Sequence, residues 1–357
     1  MSRSHDVFVI GGDGIGPEVV DAAIPVVEAA LSRESAAVSI SWYPLPYGAE
    51  HYLKTGETLP DQAFARLRDD ADAILLGALG DPRIPTNIHA RDILLGLRFR
   101  LDLYVNFRPC GLLHPSLCPL RDSATGVERT IDMVIFRENT EGSYLGRGRA
   151  SAEGTDEEEQ IVEEVHTAPK VSRLLRAAFE WAAKHGKQLV TVSDKSNAIP
   201  GHRIWRRIAE KVSQDFPGVE LEFYYVDALA MDMVRNPERF QVIATSNLFG
   251  DILSDLGSQL VGGLGVAASA NLHPGRPGLF EPVHGSAPPL VGTGQANPLA
   301  TVLTAGLMLQ ELELPAAAAA VQHAVSTSIH EGVTTPDLGG RATTVEVSAF
   351  LADVARG

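Results

Sequence analysis

Short apolar runs, each stopped at once by glycine or by polar side chains, recur along the chain. Val7-Phe8-Val9-Ile10 ends at Gly11-Gly12-Asp13-Gly14-Ile15-Gly16-Pro17-Glu18, and Ala73-Ile74-Leu75-Leu76 ends at Gly77. Met133-Val134-Ile135-Phe136, Leu189-Val190-Thr191-Val192 and Val242-Ile243-Ala244-Thr245 run into Arg137-Glu138-Asn139, Ser193-Asp194-Lys195 and Ser246-Asn247. Runs of this length bounded by turn residues predict buried strands. Between them, residues 170–185 place apolar side chains at 171, 174, 175, 178, 179 and 182, the stripe of an amphipathic helix. Residues 298–309 and 316–329 predict two more helices, and Pro17 suits the first turn of a helix running on through Val19 and Ala22. Strands alternating with helices predict an α/β fold, with chemistry just beyond the strands' carboxyl ends.

The chain has 357 residues, long enough for two domains. Its formal net charge of −15 repels phosphate backbones and argues against nucleic acid as a partner. An anionic substrate would then need local positive charge, which makes grouped arginines informative. The two cysteines, Cys110 and Cys118, form neither a Cys-x-x-Cys pair nor a disulfide framework and read as structural thiols. The apolar run at 7–10 is too short for a signal peptide or membrane span, so a cytoplasmic location without membrane attachment is expected. Residues 151–164 are acidic and lack a core pattern, which predicts a loop or an arm.

The glycine-rich opening does not meet the dinucleotide fingerprint. Counting from Gly12 and Gly14, the third glycine position is Pro17, so the expected structure is a tight turn entering a helix rather than a Rossmann site. Three other groupings point to chemistry. Asp251 and Asp255 are four apart and share a helical face, where their repulsion calls for a cation or an arginine; Mg²⁺ or Mn²⁺ suits such a hard oxygen pair. On spacing alone, a solvated helix start remains the simpler alternative. Arg98 and Arg108 bracket a strand-like stretch at 101–107, and Arg137 follows another strand. Three such guanidinium forks suit a di-anionic substrate, while any one alone reads as a surface salt bridge. Tyr144 and Lys195, beside a cation, would have lowered pKa values and exchange protons at neutral pH.

Together these residues resemble the β-decarboxylating dehydrogenase family of isocitrate, homoisocitrate, 3-isopropylmalate and tartrate or D-malate dehydrogenases. The resemblance is collinear from Gly12-Asp13-Gly14-Ile15-Gly16-Pro17-Glu18 to Pro336-Asp337-Leu338-Gly339-Gly340. Its most specific pieces are Asn247-Leu248-Phe249-Gly250-Asp251-Ile252-Leu253-Ser254-Asp255 and Glu281-Pro282-Val283-His284-Gly285-Ser286-Ala287-Pro288. It implies two α/β domains with a central cleft: a large one from 1–103 and 262–357 on the cofactor side, and a small one from 104–261. The small domain would carry the metal site, the dimer contact and a clasp arm near 145–168. It implies a homodimer with shared sites, the metal held by Asp251 and Asp255 of one chain and Asp227 of the other, which also lends Lys195. Arg98, Arg108 and Arg137 would hold substrate carboxylates, Lys195 would take the hydroxyl proton, and Tyr144 would protonate carbon 3. The cofactor would meet Ile15, Asn197, Glu281, His284, Gly285, Ser286, Ala287, Asn297 and Asp337. A non-catalytic, metabolite-binding relative is the alternative of another class, and the filled acid, base, metal and arginine positions argue against it.

Two choices rest on fewer residues. Family members linked to NAD place Asp after Ala287-Pro288, and bacterial isocitrate enzymes linked to NADP place Lys then Tyr. This chain has Pro289-Leu290, with nothing cationic to pair a 2′-phosphate, so NAD is preferred and NADP stays open. The pair Leu94-Leu95 ahead of Arg98 resembles the apolar pocket of isopropylmalate enzymes. Isopropylmalate enzymes usually carry Glu where this chain has Arg91, and Arg137-Glu138-Asn139-Thr140-Glu141-Gly142, with Cys118-Pro119-Leu120 and Ser269-Ala270-Asn271-Leu272, looks closer to tartrate or D-malate and homoisocitrate members. Arg91 is open to two roles, partner of an anionic substituent or solvent-facing helix residue. The substrate expected is a 3-substituted malate, 3-isopropylmalate or a 3-alkyl relative first, with the tartrate/D-malate and homoisocitrate/isocitrate readings as alternatives.

Overall fold

The computed structural model of the chain describes residues 3–120 and 129–357. It divides into two compact units, Met1–Leu103 with Leu112–Arg129 and Ser258–Gly357, and Tyr104–Gly111 with Thr130–Gly257. The first unit begins with β1 (Arg3–Gly12), α1 (Gly16–Ala30), β2 (Val38–Leu45), α2 (Ala49–Thr55), α3 (Asp61–Asp69), β3 (Ala73–Ala78) and α4 (Ile88–Arg100). The second contains β4 (Val105–Gly111), β5 (Asp132–Glu138), β6 (Gly148–Ser151), β7 (Glu159–Val162), α5 (Ala168–Lys184), β8 (Leu189–Asp194), α6 (Arg203–Ser213), β9 (Glu220–Tyr225), α7 (Val226–Arg235) and β10 (Val242–Thr245), and most of α8 (Asn247–Leu260). The first unit resumes with β11 (Ala270–Leu272), β12 (Gly278–Phe280), α9 (Leu299–Glu311), α10 (Pro315–Glu331) and α11 (Thr344–Arg356).

Two boundaries differ from the sequence-based ones. The segment after β4 groups with the first unit, and Leu117 shows why: its side chain lies against Gly262, where a Cβ would sit 3.1 Å from Leu117 Cδ1. The later boundary falls inside α8, at 257/258 instead of 261/262.

In the first unit β1 lies between β2 and β3, parallel to both. β12 continues parallel to β3, and β11 pairs antiparallel with β12. Strands covered on both faces by helices read as unbroken apolar runs, and β3 is buried along its whole length. α9 is buried nearly all round, as its uniform apolarity requires, and packs among α1 and α10. The turn after β1 is pinned by Asp13. Its carboxylate accepts the backbone N–H groups of Ala49 (2.5 Å) and Gly80 (2.7 Å) and the Nε2–H of the fully buried His89 (2.8 Å).

The second unit has the order β4-β5-β10-β8-β9, with β4 antiparallel to β5 and the rest parallel. The predicted stripe of α5 is buried at Val171, Leu174, Leu175, Ala178, Phe179 and Ala182. Burying each of its large side chains contributes roughly 1.5–3 kcal/mol. The acidic 151–164 stretch is no loose loop: β6 and β7 pair antiparallel as an exposed ribbon.

The strand-like stretch at 101–107 is corrected. Leu101 closes α4, Asp102 turns the chain at φ 52°, and the strand starts only at Val105. Leu101 and Leu103 are apolar because they enter the helix-side core, not because they pair in a sheet. Arg98 therefore leaves a helix, and Arg108 lies within a strand.

Candidate active site

In the second unit, β4, β5 and α8 bring five of the expected residues together. Arg108 on β4 and Arg137 on β5 are both buried, the latter almost completely. They are not surface salt-bridge residues. Arg108 Nη1 lies 3.3 Å from Asp251 and 3.5 Å from Asp255, and donates to Ser254 Oγ at 2.6 Å. Arg137 donates through Nη1 to Asp251 and through Nε and Nη2 to Asn247 Oδ1 (3.0 and 2.7 Å). Tyr144 donates its hydroxyl proton to Asp251 Oδ2 at 2.6 Å, with the Arg137 guanidinium 5.3 Å from its ring centre.

Local sequence explains the arrangement. β10 ends at Thr245, and α8 begins at Asn247, whose amide holds Arg137 on its oxygen and the Glu141 carbonyl on its nitrogen (2.8 Å). Buried Glu138 folds the loop leading to Tyr144 by accepting the N–H groups of Thr140 (3.0 Å) and Glu141 (2.6 Å). Burial pushes the Glu138 carboxyl up, and those hydrogen bonds oppose the rise. Gly250 lets the guanidinium stem of Arg137 pass, since a Cβ there would lie 2.5 Å from Arg137 Cγ and 2.6 Å from its Cβ. Gly250→Ala is expected to destabilise the protein by about 1–3 kcal/mol, the usual cost of overpacking, with Arg137 displaced. Urea unfolding measures it, and an unchanged midpoint would contradict the close approach.

In the protein alone the Tyr144 hydroxyl is held above its ordinary value: burial comes first, then the hydrogen bond to Asp251 and that carboxylate's charge, with Arg137 and Arg108 opposing. The lowering expected of Tyr144 beside a cation concerns the metal-loaded site. Burial likewise pushes Asp255 up; Arg108 opposes, and the Asp251 charge adds to the rise. The like-charge repulsion foreseen for the two aspartates is met by two arginines, and their carboxylates remain part-exposed (33% and 58% side-chain exposure). A part-exposed pair of hard oxygen donors fits a divalent cation.

Lys195 and Asp227 form a separate pair in the same unit, Nζ to Oδ1 at 2.6 Å, and the lysine holds the Asp227 carboxyl below its ordinary range. Asn197 is exposed in the turn after β8. Cys110 is buried against Gly257 with its thiol pushed up to about 12 by burial, a structural thiol as expected.

The remaining expected residues lie in the first unit. On α4, Arg91, Leu94, Leu95 and Arg98 stand at i, i+3, i+4 and i+7 and share a face, while Ile93 and Leu97 turn into the core. Arg98 is buried and gives Nη2 to Glu281 (2.5 Å), so Glu281 braces an arginine as well as neighbouring the loop that follows it. The Arg98 Nε is buried without an acceptor. Arg91 is solvent-facing and lies 3.6 Å from Asp92, as one of its two readings has it.

Ile15 donates its N–H to the Ser286 carbonyl (2.9 Å), and its side chain packs with Ala287. Gly14 makes that approach feasible: at φ +59° a Cβ would lie 2.0 Å from the same carbonyl. Gly285 is exposed between His284 and Ser286, and Asn297 donates to Asp337 at 2.8 Å. His284 has Nδ1 against the Gly285 carbonyl (3.0 Å), its Nε2 is buried without a partner, and burial lowers its pKa. With Nδ1 turned to the carbonyl, the proton of the neutral imidazole sits there and Nε2 carries the lone pair. Arg83 was not singled out by sequence, because nothing in it marks a loop arginine as close to Pro288. It lines a cleft of about 420 Å³ with Gly14, Pro288 and Val291, and is ion-paired to Asp81 (2.7 Å) and Glu50 (2.6 Å).

The isocitrate/isopropylmalate dehydrogenase family model matches residues 6–354. The 3-isopropylmalate dehydrogenase of Beutenbergia cavernae is 45% identical, covering 93% of this chain and 94% of the relative. That of Streptomyces griseus subsp. griseus is 42% identical over the same shares. Among solved structures, isocitrate dehydrogenase from Methylococcus capsulatus superposes with a TM-score of 0.87 at 34% identity, covering 99% of this chain and all of that one. The TT0538 protein from Thermus thermophilus gives 0.83 at 32% identity, covering 99% and 68%.

Proposed function

Because the chain belongs to the isocitrate/isopropylmalate dehydrogenase family, and is therefore a dehydrogenase acting on a hydroxyl group, we propose that it carries out the metal-dependent, NAD-linked oxidative decarboxylation of a 3-substituted malate, 3-isopropylmalate or a close 3-alkyl relative. The observation that carries the chemistry is the grouping of Arg108, Arg137 and Tyr144 around Asp251 and Asp255. Arg108 and Arg137 bind and orient substrate carboxylates. Asp251 and Asp255 hold Mg²⁺ or Mn²⁺, with Asp227 reaching it from a second copy of the chain. Such a cation supplies Lewis acidity toward the 2-hydroxyl and its adjacent carboxylate. Lys195 receives the hydroxyl proton, and Tyr144 delivers one to carbon 3 after CO₂ leaves.

The α4 face supports an alkyl substituent. Leu94 and Leu95 are partly exposed on the face that carries Arg98, whose unused Nε suits a carboxylate. Cofactor binding rests on Ile15, His284, Ser286, Ala287, Asn297 and Asp337. NAD is favoured over NADP because Arg83, the arginine lining the cleft beside Pro288, is already neutralised by two carboxylates that would repel a 2′-phosphate. The homodimer reading is supported by α7, where Asp227, Met231 and Val234 share a face and Met231 is 75% exposed, and by Ile252 on α8, 58% exposed. The β6–β7 ribbon is then an arm that clasps the second copy.

The test is a comparison of kcat/KM across 3-isopropylmalate, other 3-alkylmalates, D-malate, tartrate, isocitrate and homoisocitrate, with NAD or NADP. 3-Isopropylmalate with NAD is expected to lead, but by no more than about ten- to two-hundredfold per methylene, the limit of an apolar pocket. A lead by isocitrate or tartrate would overturn the substrate assignment, and no turnover with any of them would favour a binding protein.

A further inference from the structure

His202 occupies a place that the chemistry above does not use. It lies just before α6 and is 1% exposed. Its Nδ1 accepts the backbone N–H of Lys195 at 3.1 Å, and its Nε2 lies 2.9 Å from Glu164 Oε2. Because Nδ1 is the acceptor, the ring proton must sit on Nε2 and be donated to Glu164. The His166 ring meets His202 edge-on at 4.9 Å, its own Nε2 3.3 Å from Glu164 Oε1, and Phe249 covers His202 at 5.3 Å. Glu164, His166 and His202 offer three ligand-type atoms within 4.8 Å of one another. A metal on His202 Nε2 would force the proton onto Nδ1, against the Lys195 N–H, so His202 and Glu164 form a hydrogen-bonded pair rather than part of a metal centre.

We infer that His202 is a positioning residue: with Glu164 it fixes the ring that anchors the Lys195 backbone, and so aims the lysine that accepts the substrate's hydroxyl proton. The inference rests on the assignment of Lys195 as that proton acceptor. The chain of contacts runs Glu164 carboxylate, His202 Nε2–H, His202 Nδ1, Lys195 N–H. The Lys195 side chain then reaches Asp227 at 2.6 Å. The His166 imidazole beside it and the His202 hydrogen bond hold the Glu164 carboxyl down to about 2, so the anchor stays charged throughout the working pH range. Phe249 stands two residues before Asp251 on α8, so the same ring is braced from the helix that carries the aspartates.

The experiment compares His202→Leu, His202→Asn, Lys195→Met and the Lys195→Met/His202→Leu double variant by steady-state kinetics and thermal unfolding. His202→Leu is expected to lower kcat about a hundredfold with KM little changed, the effect of a misplaced reacting group. His202→Asn puts an amide oxygen where Nδ1 was and is expected to recover most of that loss. The double variant should be no slower than Lys195→Met alone, because one residue acts through the other. Additive losses, or equal losses in the Leu and Asn variants that track a lowered Tm, would overturn the inference. So would a fast His202→Leu enzyme beside a slow Lys195→Met enzyme, with the lysine assignment left standing. A fast Lys195→Met enzyme would overturn the lysine assignment and the inference together. If His202→Leu does not fold, Glu164→Ala at the part-exposed end of the chain carries the same comparison: an extra loss on top of Lys195→Met contradicts the inference, and none supports it.

Discussion

Lys195→Met is expected to lower kcat by about 10²–10⁴, the range for removing a positioned general base, with the fold and both KM values nearly intact. The methylene stem is preserved and only the amine is lost. That amine now pairs with Asp227 at 2.6 Å, and its side chain is 24% exposed, so removing it leaves no buried charge behind. Asp227 is 64% exposed and reverts to a hydrated carboxylate. Stability should therefore change by less than about 1 kcal/mol, as for other exposed ion pairs. Steady-state rates with thermal unfolding as control measure both sides, and near-normal turnover would remove Lys195 from the mechanism.

Tyr144→Phe should produce the second large loss, about a hundredfold or more in overall turnover. Phenylalanine keeps the ring beside Arg137 and deletes only the hydroxyl that donates to Asp251. A phenol is ordinarily protonated at neutral pH, so this hydroxyl is available there as a proton donor. The variant should leave the substrate KM nearly unchanged, because the carboxylates are bound by arginines. A variant that forms product at the normal rate would contradict the assignment.

The second unit's central strands and its long helix were legible because burial on both sides leaves no room for polar residues. What escaped was structure without such a pattern. β2 and β9 are partly exposed along most of their length, β11 and β12 are three residues each, and the β6–β7 ribbon buries little. Within the candidate site, Asp251 and Asp255 were visible from their spacing, since a helix converts four residues into one face. The arginines that neutralise them were visible as residue types but not as partners, because Arg137 and Asp251 are 114 positions apart. Glu138 and Asn247 stood inside the quoted motifs, yet their work of folding the Tyr144 loop and holding Arg137 depends on backbone contacts that no spacing encodes. The same holds for Arg98, whose pairing with Glu281 joins residues 183 apart.

The central claim is that Asp251 and Asp255 serve a cation-dependent oxidation coupled to decarboxylation. The most direct measurement follows NADH and CO₂ together from 3-isopropylmalate and NAD, with Mn²⁺ present, after chelation, and in Asp251→Asn. One CO₂ per NADH with Mn²⁺, and loss of both products on chelation and in the variant, is the expected result. NADH without CO₂, or turnover that survives both chelation and Asp251→Asn, would contradict it.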